Sequence, residues 1–441
     1  MSIMRRSSHG RAAMAAAVLL LAACGAAAPS PSSSPGSTSD GAVPASPSTG
    51  ATGPDTWLPA GAMAVERGAF RAVQLLDGRV LVVGNDNDCA PGGPWADSAT
   101  TEIYDPADDS WTVTAPLDQP RGDFAAVRLL DGRVLVAGGQ SGGPTGEATG
   151  PLATTRIWDP IGQAWGEGGS LGSARGDPAA TLLADGRVLI AGGVQLTDRT
   201  RALPTAEIFD PKAATATPTT GMVRPRVGGT AMTMPDGRVV LFGGTDIGDD
   251  RNRSVRAVER YDPAADSWTV IGELPVGQEH TAVMLADGSI LLAGGHADER
   301  GLASEPLATA WRLDPLTGAL TQLASMPTPR RDALATLLDD GRVLLAGGAD
   351  GIVPAAGAAF QLVDTSSGAP AVTASAVIYD PVTDTWTETA PMPSPVAAGI
   401  SAVLQDGSVL VAGGPTGWGP ASAPWCPNLT ANAVRFMPGA P

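Results

Sequence analysis

At 441 residues, with 43% hydrophobic residues, 56 Gly and 39 Pro, the chain can bury a large core but must turn often. Its formal net charge is −17, and leaving out the first 23 residues removes Arg5, Arg6 and Arg11 but no acid, which takes the remainder to about −20. That charge excludes a partner held through phosphates, so neither nucleic acid nor an anionic lipid surface is an expected ligand.

The chain opens with Arg5, Arg6 and Arg11 ahead of the apolar run Ala12 to Ala23. The run is too short to span a bilayer as a helix, and a basic segment followed by a short apolar one reads as a secretory signal over residues 1–23. It ends Leu21-Ala22-Ala23-Cys24-Gly25, which resembles the bacterial lipobox. That resemblance implies lipidation at Cys24 and anchoring to a bacterial membrane outside the cytoplasm, through the lipid only. Residues 24–54 are almost all Ala, Pro, Ser, Thr and Gly. They lack the large side chains that would offset chain entropy and are expected to form a disordered tether.

From residue 55 the chain repeats. Asp-Gly-Arg or Asp-Gly-Ser, an apolar run and a Gly doublet recur from Asp77, Asp131, Asp185, Asp236, Asp287, Asp340 and Asp406, at steps of 54, 54, 51, 51, 53 and 66 residues. A period near fifty means stacked supersecondary units and replaces the two or three domains that length alone would suggest. Each unit reads as four short strands: an apolar run, the Asp-Gly turn, a continuous apolar run buried on both faces, a Tyr-Asp-Pro segment, and a segment opened by Trp. Asp-Gly between apolar runs predicts a two-residue hairpin with positive φ at both positions.

The Gly doublet, followed by Tyr and by Trp seven positions later, resembles the kelch repeat. Tyr104/Trp111, Tyr261/Trp268 and Tyr379/Trp386 fit it, Trp158/Trp165 fits with an aromatic substitution, and Phe209/Ala216 and Leu313/Leu320 depart from it. The resemblance implies an all-β fold over residues 55–438, a seven-bladed β-propeller. The last unit ends at Phe436-Met437-Pro438 without a fourth strand, while Asp55-Thr56-Trp57-Leu58-Pro59 is a fourth strand with no unit of its own. The N-terminal strand is therefore expected to complete the last blade, with Trp57 near Phe436, closing the ring and removing its open edges.

Cys89 and Cys426 follow the second strands of the first and last units, which a closed ring makes neighbours; in an oxidising compartment they are expected to pair as a disulfide. Binding residues are expected in the irregular connections between second and third strands, the longest running from Ala349 to Ala374. The same connections hold Trp95, Trp418 and Trp425, with Asp86 and Asp88 nearby, as either disulfide packing or a stacking platform. Asp86-Asn87-Asp88 and Asp246 with Asp249-Asp250 lack the spacing of a dedicated calcium loop.

Ten residues before the repeat Asp stand Arg67, Arg121, Arg175, Arg226 and Arg330, with Gly277 and Val396 in the other two units. Asp123, Asp177, Glu279 and Asp332 follow two positions on, near the mouth of a central channel. The arginines read either as clamps on strand ends or as a carboxylate-binding ring.

Some kelch propellers resemble galactose oxidase, whose copper-radical chemistry needs His and Tyr ligands and a Cys joined to a Tyr. Here the three tyrosines all occupy the repeated Tyr-Asp-Pro slots, so that chemistry is not expected. Others resemble sialic-acid mutarotases, for which Glu279 and His280 could serve as an acid–base pair. The reading that fits best is a monomeric binding protein for a polysaccharide or protein, without cofactor or metal, with a small-sugar isomerase as the alternative.

Overall fold

The computed structural model describes residues 55–85, 99–142, 148–196, 200–248, 251–275, 280–296, 305–350, 372–418 and 427–439, and every regular element among them is a β-strand. The signal and tether expectations, Cys24 included, fall on residues 1–54 and lie outside the described residues.

Strand pairing builds seven four-stranded antiparallel units among the described residues, each joined first to second to third to fourth. The first unit is Arg71–Gln74, Val80–Val83, Thr101–Asp105 and Ser110–Thr114. The protein is an all-β propeller. Its second strands explain the continuous apolar runs in the sequence. Alternate residues of a strand point to opposite faces, and here both faces meet a neighbouring unit. Val80 and Val82 pack with Ile400 and Leu410 of the last unit, while Leu81 and Val83 pack with Val134 and Val136 of the second. Seven such clusters each bridge two consecutive units, the last pair being the seventh and the first.

The closing unit combines Ile400–Val403, Val409–Ala412, Pro427–Met437 and the N-terminal Thr56–Arg67. Trp57 lies opposite Phe436 in the ladder, with ring centroids 5.0 Å apart, as the unfinished last repeat implied. The first and last strands of the ring meet at this seam, where the Gly439 amide donates to Asp55 Oδ1 at 2.9 Å. Arg435 ties the seam on the opposite edge, donating to Asp109 of the first unit (3.0 Å) and to Asp406.

The Asp-Gly turn differs from the two-residue hairpin that the dipeptide suggested. The Gly78 amide bonds the Leu75 carbonyl and the Leu75 amide bonds the Arg79 carbonyl, which makes a three-residue loop. Only the glycine is left-handed, at φ 89° in the first unit. The Asp keeps negative φ because it is the second central residue of an ordinary turn, followed by a glycine bulge. Its carboxylate accepts both the backbone and the guanidinium of Arg79, which holds the Asp77 pKa below the usual carboxylate value.

The tyrosines hold the opposite turn. Tyr104, Tyr261 and Tyr379 are fully buried beside Trp111, Trp268 and Trp386, and their hydroxyls donate to Asp109, Asp266 and Asp384. Each of those aspartates is left-handed, with φ of 54°, 45° and 52°. Burial and the adjacent carboxylate both push the tyrosine pKa values up.

Candidate functional site

The arginine series sits where the fourth-to-first connection meets the end of the second strand. Arg67, Arg121, Arg175, Arg226 and Arg330 are 0–1% exposed. In every case Nη1 donates to the carbonyl of the first residue of the Gly doublet position, Gly84, Gly138, Gly192, Gly243 or Gly347. In three units Nη2 meets a buried glutamate two residues before the aromatic slot: Glu102 at 2.7 Å, Glu259 at 2.6 Å, and Glu207. These glutamates also accept backbone amides from the connection that carries the arginine, as Glu259 does from Val223 and Arg224. The second and sixth units have no such acid. There Nη2 turns to a hydroxyl, Thr154 Oγ1 at 3.2 Å and Ser375 Oγ at 3.0 Å.

Burial lowers Arg121 and Arg330 to about 10, offset only in part by Asp118 near the first and by Asp350 and Glu388 near the second, and both stay cationic at neutral pH. With their Nη groups on their own unit's carbonyls, hydroxyls and carboxylates, the five buried guanidiniums are interior rather than displayed. That favours the strand-end reading over the carboxylate-binding one.

The position two residues on has a shared backbone conformation. Ala69, Asp123, Asp177, Gly228, Asp332 and Ala398 are all left-handed, with φ between 45° and 69°. The twist aims backbone amides from unit to unit: Asp177 to the Asp123 carbonyl (2.6 Å), Gly228 to Asp177 (3.1 Å), Ala398 to Asp332 (2.9 Å). Such strain, about 1 kcal/mol for a non-glycine residue, is offset by closing the ring with backbone hydrogen bonds. The Asp177 carboxylate is 3.7 Å from Arg71 Nη2, on the innermost strand of the first unit.

The second-to-third connections hold structure that the sequence reading treated as irregular. Four two-stranded pairings extend there: Gln140–Gly142 with Ala148–Pro151, Val194–Leu196 with Thr200–Ala202, Thr245–Gly248 with Arg251–Ser254, and Pro415–Trp418 with the start of Pro427–Met437. The first three stand side by side along one face. Their short runs, rich in Gly, Thr and Arg, lack an apolar alternation, so periodicity could not find them. Of the residues expected at the seam, Cys89, Cys426, Trp95, Trp425, Asp86 and Asp88 lie outside the described residues, as does the side chain of Trp418.

Glu279 also lies outside the described residues, whereas His280 is placed. It lines a small, water-sized hollow in the fifth unit with Leu274, Pro275, Leu292, Gly294 and Trp311, and its ring stacks on Phe242 at 5.9 Å. Burial, with a smaller contribution from His296, holds His280 down at about 4. It is therefore neutral throughout the physiological range. In the unfolded chain it would titrate at its ordinary value near 6.5. The folded state thus binds fewer protons between those values, and this contribution to stability is complete above pH 6.5 and lost as pH falls toward 4. His280→Leu is expected to lose that slope, a difference on the order of 2 kcal/mol between pH 6.5 and 4 when urea midpoints are compared with wild type.

Among the described residues, no three His, Cys, Asp or Glu side chains come together in a way that could hold a metal. The tyrosine hydroxyls are committed to Asp109, Asp266 and Asp384.

Comparison with known proteins places the repeat. Residues 226–275, which run from Arg226 through the fourth unit, match the kelch motif. That stretch carries a kelch motif. It is similar to Kelch-like protein 26 of Danio rerio, at 28% identity over 53% of this chain and 36% of that protein. It is also similar to Kelch-like protein terF of Aspergillus terreus, at 25% identity over 68% of this chain and 62% of that protein. The chain thus spans less than two thirds of either relative's length. A solved structure, a novel fungal alcohol oxidase of the AA5 family in complex with copper, superposes with a TM-score of 0.65 at 19% identity, covering 88% of this chain and 77% of that one. At that identity the likeness concerns the propeller fold alone.

Proposed function

We propose that this kelch propeller is a binding scaffold for a protein partner, displayed outside the cytoplasm on a lipidated Cys24, with the face of the second-to-third connections as its contact surface. The observation that carries the reading is the set of three adjacent ribbons on that face. They raise exposed polar and charged side chains, Arg201 and Arg253 among them, above a ring whose own arginines are buried. Rigid ribbons on a closed scaffold suit recognition, because little conformational freedom is lost on binding. Kelch-like relatives support an interaction role over a catalytic one. The isomerase alternative, through Glu279 and His280, gains nothing from a His280 that is half-buried and stacked on Phe242.

The test is cross-linking on intact cells. A photo-crosslinking residue at Arg253 is expected to capture one partner through a membrane-impermeant reporter, while the same residue at Ile161, 94% exposed in a turn between third and fourth strands, captures none. Equal capture from both positions would remove the ribbon face from the reading. Absence of labelling on intact cells would remove the extracytoplasmic location. Saturable binding of the purified chain to a glycan array would move the ligand class to polysaccharide.

A further inference from the structure

Where the N-terminal segment joins the ring decides which face the ring turns outward. Asp55 lies on the face of the Asp-Gly turns. Its carboxylate accepts the Gly439 amide at 2.9 Å, and the Gly439 carbonyl accepts Arg342, from the Asp-Gly turn of the sixth unit, at 2.8 Å. From there Thr56–Arg67 runs the depth of the ring. It ends at Arg67, whose carbonyl accepts the Gly414 amide at 2.8 Å, one residue before the Pro415–Trp418 strand begins. Each second strand runs the same way, from an Asp-Gly turn to a Gly doublet. The three ribbons that follow Gly139, Gly193 and Gly244 therefore stand on the face opposite Asp55.

The separation is large against the reach of the segment. A strand rises about 3.3 Å per residue, so 12 residues cover up to about 40 Å. Residues 25–54 are 30 in number, almost all Ala, Pro, Ser, Thr and Gly, and a chain of that length and composition has an r.m.s. span of about 30 Å. A lipid on Cys24 thus holds the turn face nearer the membrane than the ribbons. Charge does not oppose this. In five units the turn aspartate is paired with the arginine two residues on, as Asp340 is with Arg342 at 2.6 Å, so the turn face does not present a ring of bare carboxylates. The ribbon stretches 194–202 and 245–254 together hold four Asp and four Arg, a balance that gives anionic headgroups no hold on the opposite face.

We propose that the turn face is the one held toward the anchoring membrane and that the ribbon face looks away from it. The orientation rests on the lipid anchor at Cys24 proposed above, and it gives the ribbons a direction of approach. A protein that binds them comes from the side away from the bilayer, and a protein buried in the same bilayer beneath the ring does not reach them.

The experiment puts the lipidated full chain, extracted from membranes, into phosphatidylcholine vesicles that carry an acceptor dye on a small fraction of their headgroups. A donor dye sits on a bioorthogonal residue replacing either Val382, 91% exposed on the turn face, or Arg253 on the ribbons. Energy transfer from position 382 is expected to exceed that from position 253 at least twofold. Deleting residues 28–50 leaves seven residues between Cys24 and Asp55, at most about 25 Å of chain, and should widen the difference. Equal or reversed transfer in the shortened chain would overturn the orientation and leave the anchor standing. A full-length chain whose mass shows no lipid on Cys24 would remove the anchor, and the orientation with it.

Discussion

Removing residues 1–67 will leave a chain that does not stay folded in solution, whereas a circular permutant that joins Gly439 to Asp55 will fold. The deletion takes the fourth strand of the closing unit. With it go Trp57 against Phe436, and Ala60 and Met63, both buried in the cluster that binds the seventh unit to the first. Loss of a fully buried Trp costs about 3–5 kcal/mol, and the partly buried Trp57 contributes a share of that. Adding Met63 and the strand's backbone ladder brings the loss to the scale of a whole domain's stability, about 5–15 kcal/mol. The exposed edge of Pro427–Met437 would then pair with other copies. The permutant keeps every one of these contacts. Its joint spans a gap already closed by the Gly439–Asp55 hydrogen bond of 2.9 Å, so a linker of about four residues suffices. New ends can open between residues 351 and 371. Soluble yield and the urea midpoint decide the matter: a soluble, cooperatively unfolding deletion, or a permutant that fails, would show that the N-terminal strand does not complete the ring.

How much of this was legible depended on whether a residue's partner recurs with it. The Asp-Gly turns, the doublets and the orphan strand at Trp57 repeat or are conspicuously missing, and they fixed the propeller and its closure. Two further correlations within the chain were available. The left-handed Asp109, Asp266 and Asp384 stand five positions after Tyr104, Tyr261 and Tyr379, whereas Trp158, Phe209 and Leu313 are followed there by Gln163, Ala214 and Gly318. The acid appears only where a phenol can donate to it. Likewise Glu102, Glu207 and Glu259 occur only in units that have the arginine, and the units with Gly277 and Val396 carry Trp311 and Val434 instead. A pairing of this kind inside one chain marks an interior ion pair rather than a ligand-binding ring. The ribbons were beyond reach because cross-strand pairing of short polar runs is set by neighbouring loops, which periodicity does not register.

Arg226→Met will destabilise the protein by about 3–5 kcal/mol, more than Arg330→Met, for which about 1–3 kcal/mol is expected. Both side chains are buried and both hold the doublet carbonyl of their unit, Gly243 at 2.9 Å and Gly347 at 3.1 Å. The difference lies in what is left behind. Without Arg226, Glu259 keeps its amide bonds from Val223 and Arg224 but becomes a buried carboxylate facing a thioether. Without Arg330, only the hydroxyls of Thr328 and Ser375 and two carbonyls lose a donor. It follows that adding Glu259→Gln to Arg226→Met should recover part of the loss, because an amide needs no counter-charge, while Glu259→Gln alone strands the cation. The double-mutant cycle, read from urea midpoints at pH 7, should therefore give a coupling of about 1–3 kcal/mol. Additive single effects, or an Arg330 variant as damaging as Arg226→Met, would show that the carboxylate contributes little and that the carbonyl contacts alone lock each connection to its strand end.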